Sequence, residues 1–361
     1  MYRIGVDVGG TFTDFTILDE EGGGVHYFKV PSTPPDPSEA IQDGVARMIE
    51  DHKVAPEDVS HLGHGTTVAT NMVIERRGSA TGLLTTKGFR DVLEIGRQTR
   101  PNLYDYTIGK PVPLAAREHR LEIVERVGAD GGVLTPLDEA GLEAAAKKLN
   151  AAGVDAVAVC FLHSYRRPDH EKAARAALER LVPDAYISLS SEVLPEFREY
   201  ERLSTTVLNA YIGPRMQAYL DRFLTRVSDL GITVEPYTIH SNGGLMSVRT
   251  VRETPVRTCL SGPAAGVVGA TEVAKAADFP NVVTFDVGGT STDVSLVREA
   301  RPIFTSDRAI AGYPVRSPML DIHVVGAGGG SIARVDDAGG LEVGPASAGA
   351  APGPAAYGQG G

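Results

Sequence analysis

Asp7 and Asp286 each end an apolar run and stand directly before a turn of the same composition. From Asp7 to Asp14 the chain reads Asp-Val-Gly-Gly-Thr-Phe-Thr-Asp, and from Asp286 to Asp293 it reads Asp-Val-Gly-Gly-Thr-Ser-Thr-Asp. Seven of the eight residues recur; only Phe12 becomes Ser291. The apolar flanks predict two short strands joined by a tight turn in each copy. Gly9, Gly10, Gly288 and Gly289 are expected to supply backbone angles closed to other residues and to let a ligand approach the main chain. N–H groups exposed in such a turn suit phosphate oxygens, and Thr11 and Thr290 add hydroxyls. A carboxylate at that place repels phosphate unless a cation lies between them. Mg²⁺ keeps several waters and takes few protein carboxylates, so it fits Asp7 and Asp286. A single copy reads as readily as an ordinary hairpin. Two near-identical copies imply two similar lobes facing each other across a cleft.

The elements around the first copy continue as a third strand at 25–30, a loop at 31–37 and a helix capped by Ser38, with Ile41, Val45 and Ile49 at helical spacing. Residues 62–71, Leu-Gly-His-Gly-Thr-Thr-Val-Ala-Thr-Asn, read as a strand ending near His64 and a helix running to about Arg77. Helix starts attract anions. Thr66 and Thr67 therefore either cap that helix or touch a ligand oxygen. His64 is either a general acid or base, or a structural histidine beside a cap.

Further strands are expected at 82–86, 122–127 and 155–161, the last with the unbroken apolar run of a strand buried on both faces. A helix is expected at 136–153. The polar stretch 97–106, with Arg97, Arg100, Tyr104 and Asp105, is either a substrate wall or a surface loop. His163 and His170 have metal-like spacing, but only one carboxylate stands beside them, so a metal site there is the weaker reading. Residues 190–202 suggest a solvated helical face with internal ion pairs. A long helix at 204–230 is expected to break at Gly213-Pro214. A strand at 233–239 leads into a turn at 240–246. Residues 261–276 form a helix with small residues along one face, directly before the second hairpin. Strands follow at 302–305 and 320–325, then the loop Gly326-Ala-Gly-Gly-Gly-Ser331. Gly326, Gly328 and Gly329 suit a loop passing close to a nucleotide. The loop fails the dinucleotide fingerprint, and no P-loop sequence occurs in the chain.

With 361 residues, 42% hydrophobic and 22% charged, the chain is long enough for two domains with sizeable cores. A net charge of −11 argues against general nucleic-acid binding and against anionic membrane surfaces. No apolar run is long enough to span a bilayer, and no signal-like segment precedes the first strand. The expectation is a cytoplasmic protein. Cys160 and Cys259 are too few and too far apart for a zinc motif or a disulfide framework, and both read as core residues.

The paired hairpins are similar to those of the sugar kinase, heat-shock ATPase and actin superfamily. Within it, Asp-Val-Gly-Gly-Thr-Phe-Thr-Asp, the His-Gly-Thr-Thr segment at 64–67, Ser-Gly-Pro-Ala-Ala-Gly at 261–266 and the loop at 326–331 resemble the hydantoinase A and 5-oxoprolinase family. The resemblance covers essentially the whole chain. It implies an α/β fold of duplicated, actin-like (ribonuclease H-like) ATPase lobes. The expected division is a first lobe at 1–190, its remainder and a helical connection at 191–260, and a connecting helix with the start of a second lobe at 261–361. That second lobe looks truncated, and the Gly-Pro-rich tail resembles a segment that lies mid-chain in the family. The family's usual Cys before the Tyr of that segment is Ala356 here.

The implied activity is ATP-dependent phosphorylation of the carbonyl oxygen of a cyclic amide, of the 5-oxoproline or hydantoin type, to prepare ring opening. Its implied site comprises catalytic Asp7, Asp286 and His64, and nucleotide contacts at Gly9, Gly10, Thr11, Thr66, Thr67, Gly288, Gly289, Thr290, Gly326, Gly328 and Gly329. Mg²⁺ would sit on Asp7 and Asp286. A hydantoinase B-like partner subunit or a fused C-terminal region would complete the reaction, and an oligomer is expected. The neighbouring readings are the ATP-using subunit of a ketone carboxylase and an ATP-driven activator protein without a small-molecule substrate.

Overall fold

A computed structural model describes residues 1–361 apart from 34, 100, 101, 106, 350 and 351. Its largest sheet has six strands in the order Leu245–Ser247, Tyr237–Ile239, Val59–Thr66, Tyr2–Val8, Phe12–Asp19, Val25–Pro31. The first three strands of the chain are antiparallel; Val59–Thr66 runs parallel to Tyr2–Val8, and Tyr237–Ile239 runs parallel to Val59–Thr66. Alternation sorts the side chains. Ile4, Val6, Val8, Phe15 and Ile17 face the core, while Gly5, Asp7, Asp14 and Thr16 face the other way.

Helix Pro37–His52 covers the core face; its N-cap is Asp36, whose carboxylate accepts from the Ser38 amide at 3.2 Å, where the sequence suggested Ser38 itself. Helix Glu199–Asp229 lies beside it and buries Leu208, Ile212, Met216, Tyr219, Leu220 and Phe223. This helix runs through Gly213-Pro214 without the expected break. Packing on both sides outweighs the local propensity: a Cβ on Gly213 would lie 2.5 Å from the Tyr186 ring, so the glycine is what lets that ring close on the helix.

Between the neighbouring strands Val59–Thr66 and Tyr237–Ile239 of that sheet, the chain inserts a four-stranded parallel sheet in the order Tyr186–Leu189, Ala156–Cys160, Thr81–Thr86, Ala115–Ile123. Ala156–Cys160 is buried throughout, as its composition predicted. Helices Glu139–Ala151 and Asp169–Leu181 cover one face and the long helix covers the other. The strand expected at 122–127 instead begins at Ala115 and ends at Ile123.

The second hairpin, Val282–Val287 and Thr292–Arg298, is antiparallel like the first. Its neighbour strand is split into Arg301–Pro302 and Ile322–Val325. Between these pieces the chain leaves as a hairpin, Phe304–Ile310 with Tyr313–Leu320, absent from the sequence reading. Ile310, Tyr313, Val315 and Met319 pack into the main core, and Ser204 Oγ donates to the Pro314 carbonyl at 2.7 Å. Helix Ser261–Ala276 lies between the two hairpin sheets, touching strands of both.

The two copies differ in cover. Ile4, Val6 and Val8 are 3, 3 and 1% exposed; their counterparts Val283, Phe285 and Val287 are 62, 70 and 54% exposed. Among the described residues, no helix is long and apolar enough to cross a membrane.

Candidate active site

The strand registers place Asp7 directly opposite Asp14 and Asp286 directly opposite Asp293. Each turn closes by a main-chain hydrogen bond, Gly9 N–H to Phe12 O at 3.1 Å and Gly288 N–H to Ser291 O at 2.9 Å. None of Gly9, Gly10, Gly288 and Gly289 has positive φ, which corrects the expectation of special backbone angles. Clearance explains Gly9 and Gly288 instead. A Cβ on Gly9 would lie 2.8 Å from Phe12 O and one on Gly288 3.2 Å from Ser291 O, while Gly10 faces open space. The hairpin tips meet: a Cβ on Gly289 would come 3.4 Å from Thr11 Oγ1.

Each turn is braced from behind. Ser32 holds the first: its hydroxyl donates to Gly9 O at 2.7 Å and its amide to Thr11 O at 3.0 Å. The glycine-rich loop holds the second. Gly329 N–H donates to Gly288 O at 2.9 Å and Gly330 N–H to Gly289 O at 2.7 Å. Gly328 has no room for a side chain, since its Cβ would fall 2.5 Å from Gly288 O. Gly326 begins this loop and packs against Pro345.

Helix Ser261–Ala276 positions the two aspartates. A Cβ on Gly262 would lie 3.2 Å from Asp7 Oδ1, one on Gly65 3.0 Å from the same oxygen, and one on Gly266 3.9 Å from Asp286 Oδ2. Gly262 and Gly266 are one turn apart, so both carboxylates stand along one helix face. Ser261 fixes the helix start: its hydroxyl donates to Thr66 O at 2.9 Å and accepts from Thr66 N–H at 3.2 Å. Neither Gly65 nor the Gly262/Gly266 pair was singled out as a site feature; the four-residue spacing of the glycines was the available signal.

Asp7 keeps contact with solvent, yet the walls around it crowd the carboxyl. That crowding, with Asp14 and Asp286 close by, pushes its pKa up to about 6. Burial and the charge of Asp286 push Asp293 up to about 6 as well, against the pull of Arg308. Asp14 is raised by burial and by Asp286 and lowered by Lys29.

His64 stands apart from this group. It is fully buried on the core face, its ring 4.4 Å from that of Phe223 and 6.1 Å from that of Tyr219. Nδ1 lies 3.2 Å from Tyr237 O, and burial lowers its pKa to about 4. The strand alternation that turns Asp7 outward turns His64 inward, so the expected acid–base role has no geometry behind it. Thr66 is also buried, and its hydroxyl accepts from Val68 N–H at 3.1 Å; Thr67 donates to Val8 O at 3.1 Å. Both hydroxyls are engaged by the protein.

The other sequence candidates separate similarly. His163 Nδ1 contacts Val127 O and His170 Nδ1 contacts Glu125, each at 2.8 Å. Among the described residues, no three His, Cys, Asp or Glu side chains gather as a metal cage. Arg202, expected on a solvated face, is buried and donates to Phe161 O at 3.0 Å. Arg97 pairs with Glu201 and lines a cavity of about 420 Å³ with Thr99, Lys110, Leu114, Tyr200 and Tyr313. Arg100 and Tyr106 lie outside the described residues. Cys160 and Cys259 are buried and present no thiol to a partner.

Two family models match the chain: the hydantoinase/oxoprolinase N-terminal region over residues 3–182 and hydantoinase/oxoprolinase over residues 202–361. The chain is 42% identical to the caprolactamase subunit alpha of Pseudomonas jessenii over all of its own length and 52% of that protein. The crystal structure of the ATP-dependent caprolactamase from that organism superposes with a TM-score of 0.88, covering 100% of this chain and 53% of the other. The 5-oxoprolinase of Saccharomyces cerevisiae is 36% identical over 99% of this chain and 30% of its own length. A nucleotide-free acetone carboxylase structure, 27% identical, superposes with a TM-score of 0.85 over 97% of this chain and 51% of its own. The chain thus spans from about a third to about half the length of these relatives.

Proposed function

The chain belongs to the hydantoinase/oxoprolinase family, and from that premise we propose that it is the ATP-using component of a cyclic-amide hydrolase, phosphorylating the carbonyl oxygen of a 5-oxoproline- or hydantoin-type ring. The observation that carries this reading is the pair of Asp-Val-Gly-Gly-Thr hairpins whose tips meet and whose leading aspartates share one helix face. In this reading the hairpins are the phosphate-binding elements of two actin-like lobes, and Gly10, Thr11, Gly289 and Thr290 face the phosphates.

A lactam carbonyl is a poor electrophile. Attack of its oxygen on the terminal phosphorus of ATP, with cleavage of the bond to the bridging oxygen, yields an imidate phosphate and ADP. Water then adds at the carbon, the ring C–N bond breaks with a proton passing to the nitrogen, and the acyl phosphate left behind is hydrolysed by a second water to the carboxylate and free phosphate. The protein's task in the first step is positioning and charge neutralisation. Asp7 and Asp286 are the residues that would hold Mg²⁺. The donor set fits: all ligands are hard oxygens, crowding and mutual repulsion raise Asp7, and the flanking glycines keep side chains clear. A bound magnesium ion would supply charge neutralisation at the phosphate oxygens. Two relatives bear on completion of the reaction: the caprolactamase chain is named as a subunit, and 5-oxoprolinase is about three times longer than this chain. A hydantoinase B-like partner or fused region would therefore carry the hydrolytic half.

The likeness to acetone carboxylase favours one second reading, in which the acceptor is a ketone with bicarbonate. ATP turnover by this chain together with its partner polypeptide separates the two. Stimulation by 5-oxoproline, hydantoin or caprolactam, lost in Asp286→Ala, supports the amidase. Stimulation by acetone plus bicarbonate alone moves the chain to the carboxylases. Turnover indifferent to every substrate and to Asp286→Ala removes the two-hairpin mechanism.

A further inference from the structure

The two hairpins match at seven of eight motif positions, so their one difference is informative. Phe12 in the first stands where Ser291 stands in the second. A second difference lies on the neighbouring strand. Asp14 is paired across the sheet with Lys29, whereas Asp293 is paired with Val324. The first copy therefore has an aromatic ring and a lysine where the second has a hydroxyl and an aliphatic side chain.

These two residues meet. Lys29 Nζ lies 4.5 Å from the centroid of the Phe12 ring, within the range of a cation–π contact. Directly opposite partners in a sheet project on the same face, so Gly65, Asp7, Asp14 and Lys29 form one row across four strands. Lys29 is exposed, and its charge reaches Asp14. A polyphosphate entering between four aspartates meets strong repulsion. A divalent ion relieves part of it, and a lysine on the same row relieves more as a mobile point charge. The ring of Phe12 gives that lysine a resting place at the hairpin tip, beside Asp14, from which its flexible stem can swing to a phosphate.

Resting on the nucleotide reading above, we propose that Lys29, parked over Phe12, contacts the terminal phosphate of the nucleotide, and that the first hairpin is the one facing the transferred group. The second hairpin, lacking both residues, holds the phosphates that stay with the leaving diphosphate.

The test is binding of ATP and ADP, each with magnesium, to the 361-residue chain and to Lys29→Met, Lys29→Arg and Phe12→Ser, measured by calorimetry. Lys29→Met is expected to weaken ATP tenfold or more and ADP less than threefold. Retained ADP binding also shows that the variant is folded. Lys29→Arg should keep most of the ATP affinity, and Phe12→Ser should lower it in the same direction but less. Equal weakening of ATP and ADP, or no change in either, overturns the assignment of Lys29. Failure of the unaltered chain to bind either nucleotide overturns the nucleotide reading itself, and this proposal with it.

Discussion

Asp7 and Asp286 belong to different hairpins, 279 positions apart in the chain, yet both carboxylates lie against one face of the helix Ser261–Ala276, at Gly262 and Gly266. The small-residue face is thus a gauge for how closely the two acids approach. The clearances are unequal, and that inequality makes a prediction. A methyl group at position 262 would meet Asp7 Oδ1 at 3.2 Å, tighter than ordinary contact, whereas one at 266 would sit 3.9 Å from Asp286 Oδ2. Gly262→Ala should lower ATP turnover tenfold or more, because Asp7 must move. Gly266→Ala should be nearly neutral. In neither case should melting temperature fall appreciably, since Ala in place of Gly in a helix gains up to about 1 kcal/mol. Equal activity losses would place the constraint elsewhere.

Ser261 ties that helix to the end of the strand Val59–Thr66 through two hydrogen bonds to the Thr66 main chain. All the groups involved are buried, so Ser261→Ala leaves a main-chain N–H and C=O of Thr66 without these partners. A loss of about 1–3 kcal/mol is expected in denaturant unfolding, the usual cost of an unsatisfied buried group. Ser261→Thr keeps the hydroxyl and should recover part of it. If Ser261→Ala unfolds at the same denaturant concentration as the unaltered chain, the tie contributes nothing.

The repeated motif made both hairpins legible, because apolar runs flanking a Gly-Gly turn are local signals; the registers that set Asp7 opposite Asp14 and Asp286 opposite Asp293 come from the structure. Local signals could not say which face of a strand the core would claim. His64 sits in a polar-looking Gly-His-Gly-Thr-Thr run, but its place one residue before Gly65, on the strand beside Asp7, turns it under Phe223. The unbroken helix through Pro214 and the excursion at residues 304–320 were equally hidden, since both are stabilised by packing between segments distant in sequence. The position of Lys29 opposite Asp14 is set by a cross-strand register, which no local motif encodes.

The same strand face carries opposite burial in the two copies, which predicts opposite responses to truncation. Ile4→Ala removes a side chain from the main core and should cost about 2–5 kcal/mol. Phe285, two residues beyond the Ile4 counterpart and 70% exposed, has no such cover; Phe285→Ala should stay within about 0.5 kcal/mol in the isolated chain. The same substitution should also reduce self-association, because it shrinks an exposed apolar face. Paired urea titrations and light scattering check both points, and a large destabilisation by Phe285→Ala would show that this face is covered.

Burial of His64 gives a pH dependence whose sign follows from its partners. The imidazole faces Tyr219 and Phe223 from the long helix and Thr238 and the Tyr237 carbonyl from the adjoining strand; no carboxylate is among these. Its folded pKa of about 4 lies below the unfolded value of about 6.5. The native state therefore binds fewer protons than the unfolded state between these values. Its contribution is fully present above pH 6.5 and is lost as pH falls toward 4, amounting to about 3 kcal/mol over that window. His240, also lowered to about 4 by burial and by Arg257, adds a fall of the same sign, so the informative quantity is a difference. His64→Gln should flatten the stability–pH curve between 6.5 and 4 relative to the unaltered chain, and should leave the pH profile of ATP turnover unshifted. A turnover profile that loses an ionisation near 6.5 in His64→Gln would instead return the histidine to the chemistry, against its place beneath the sheet.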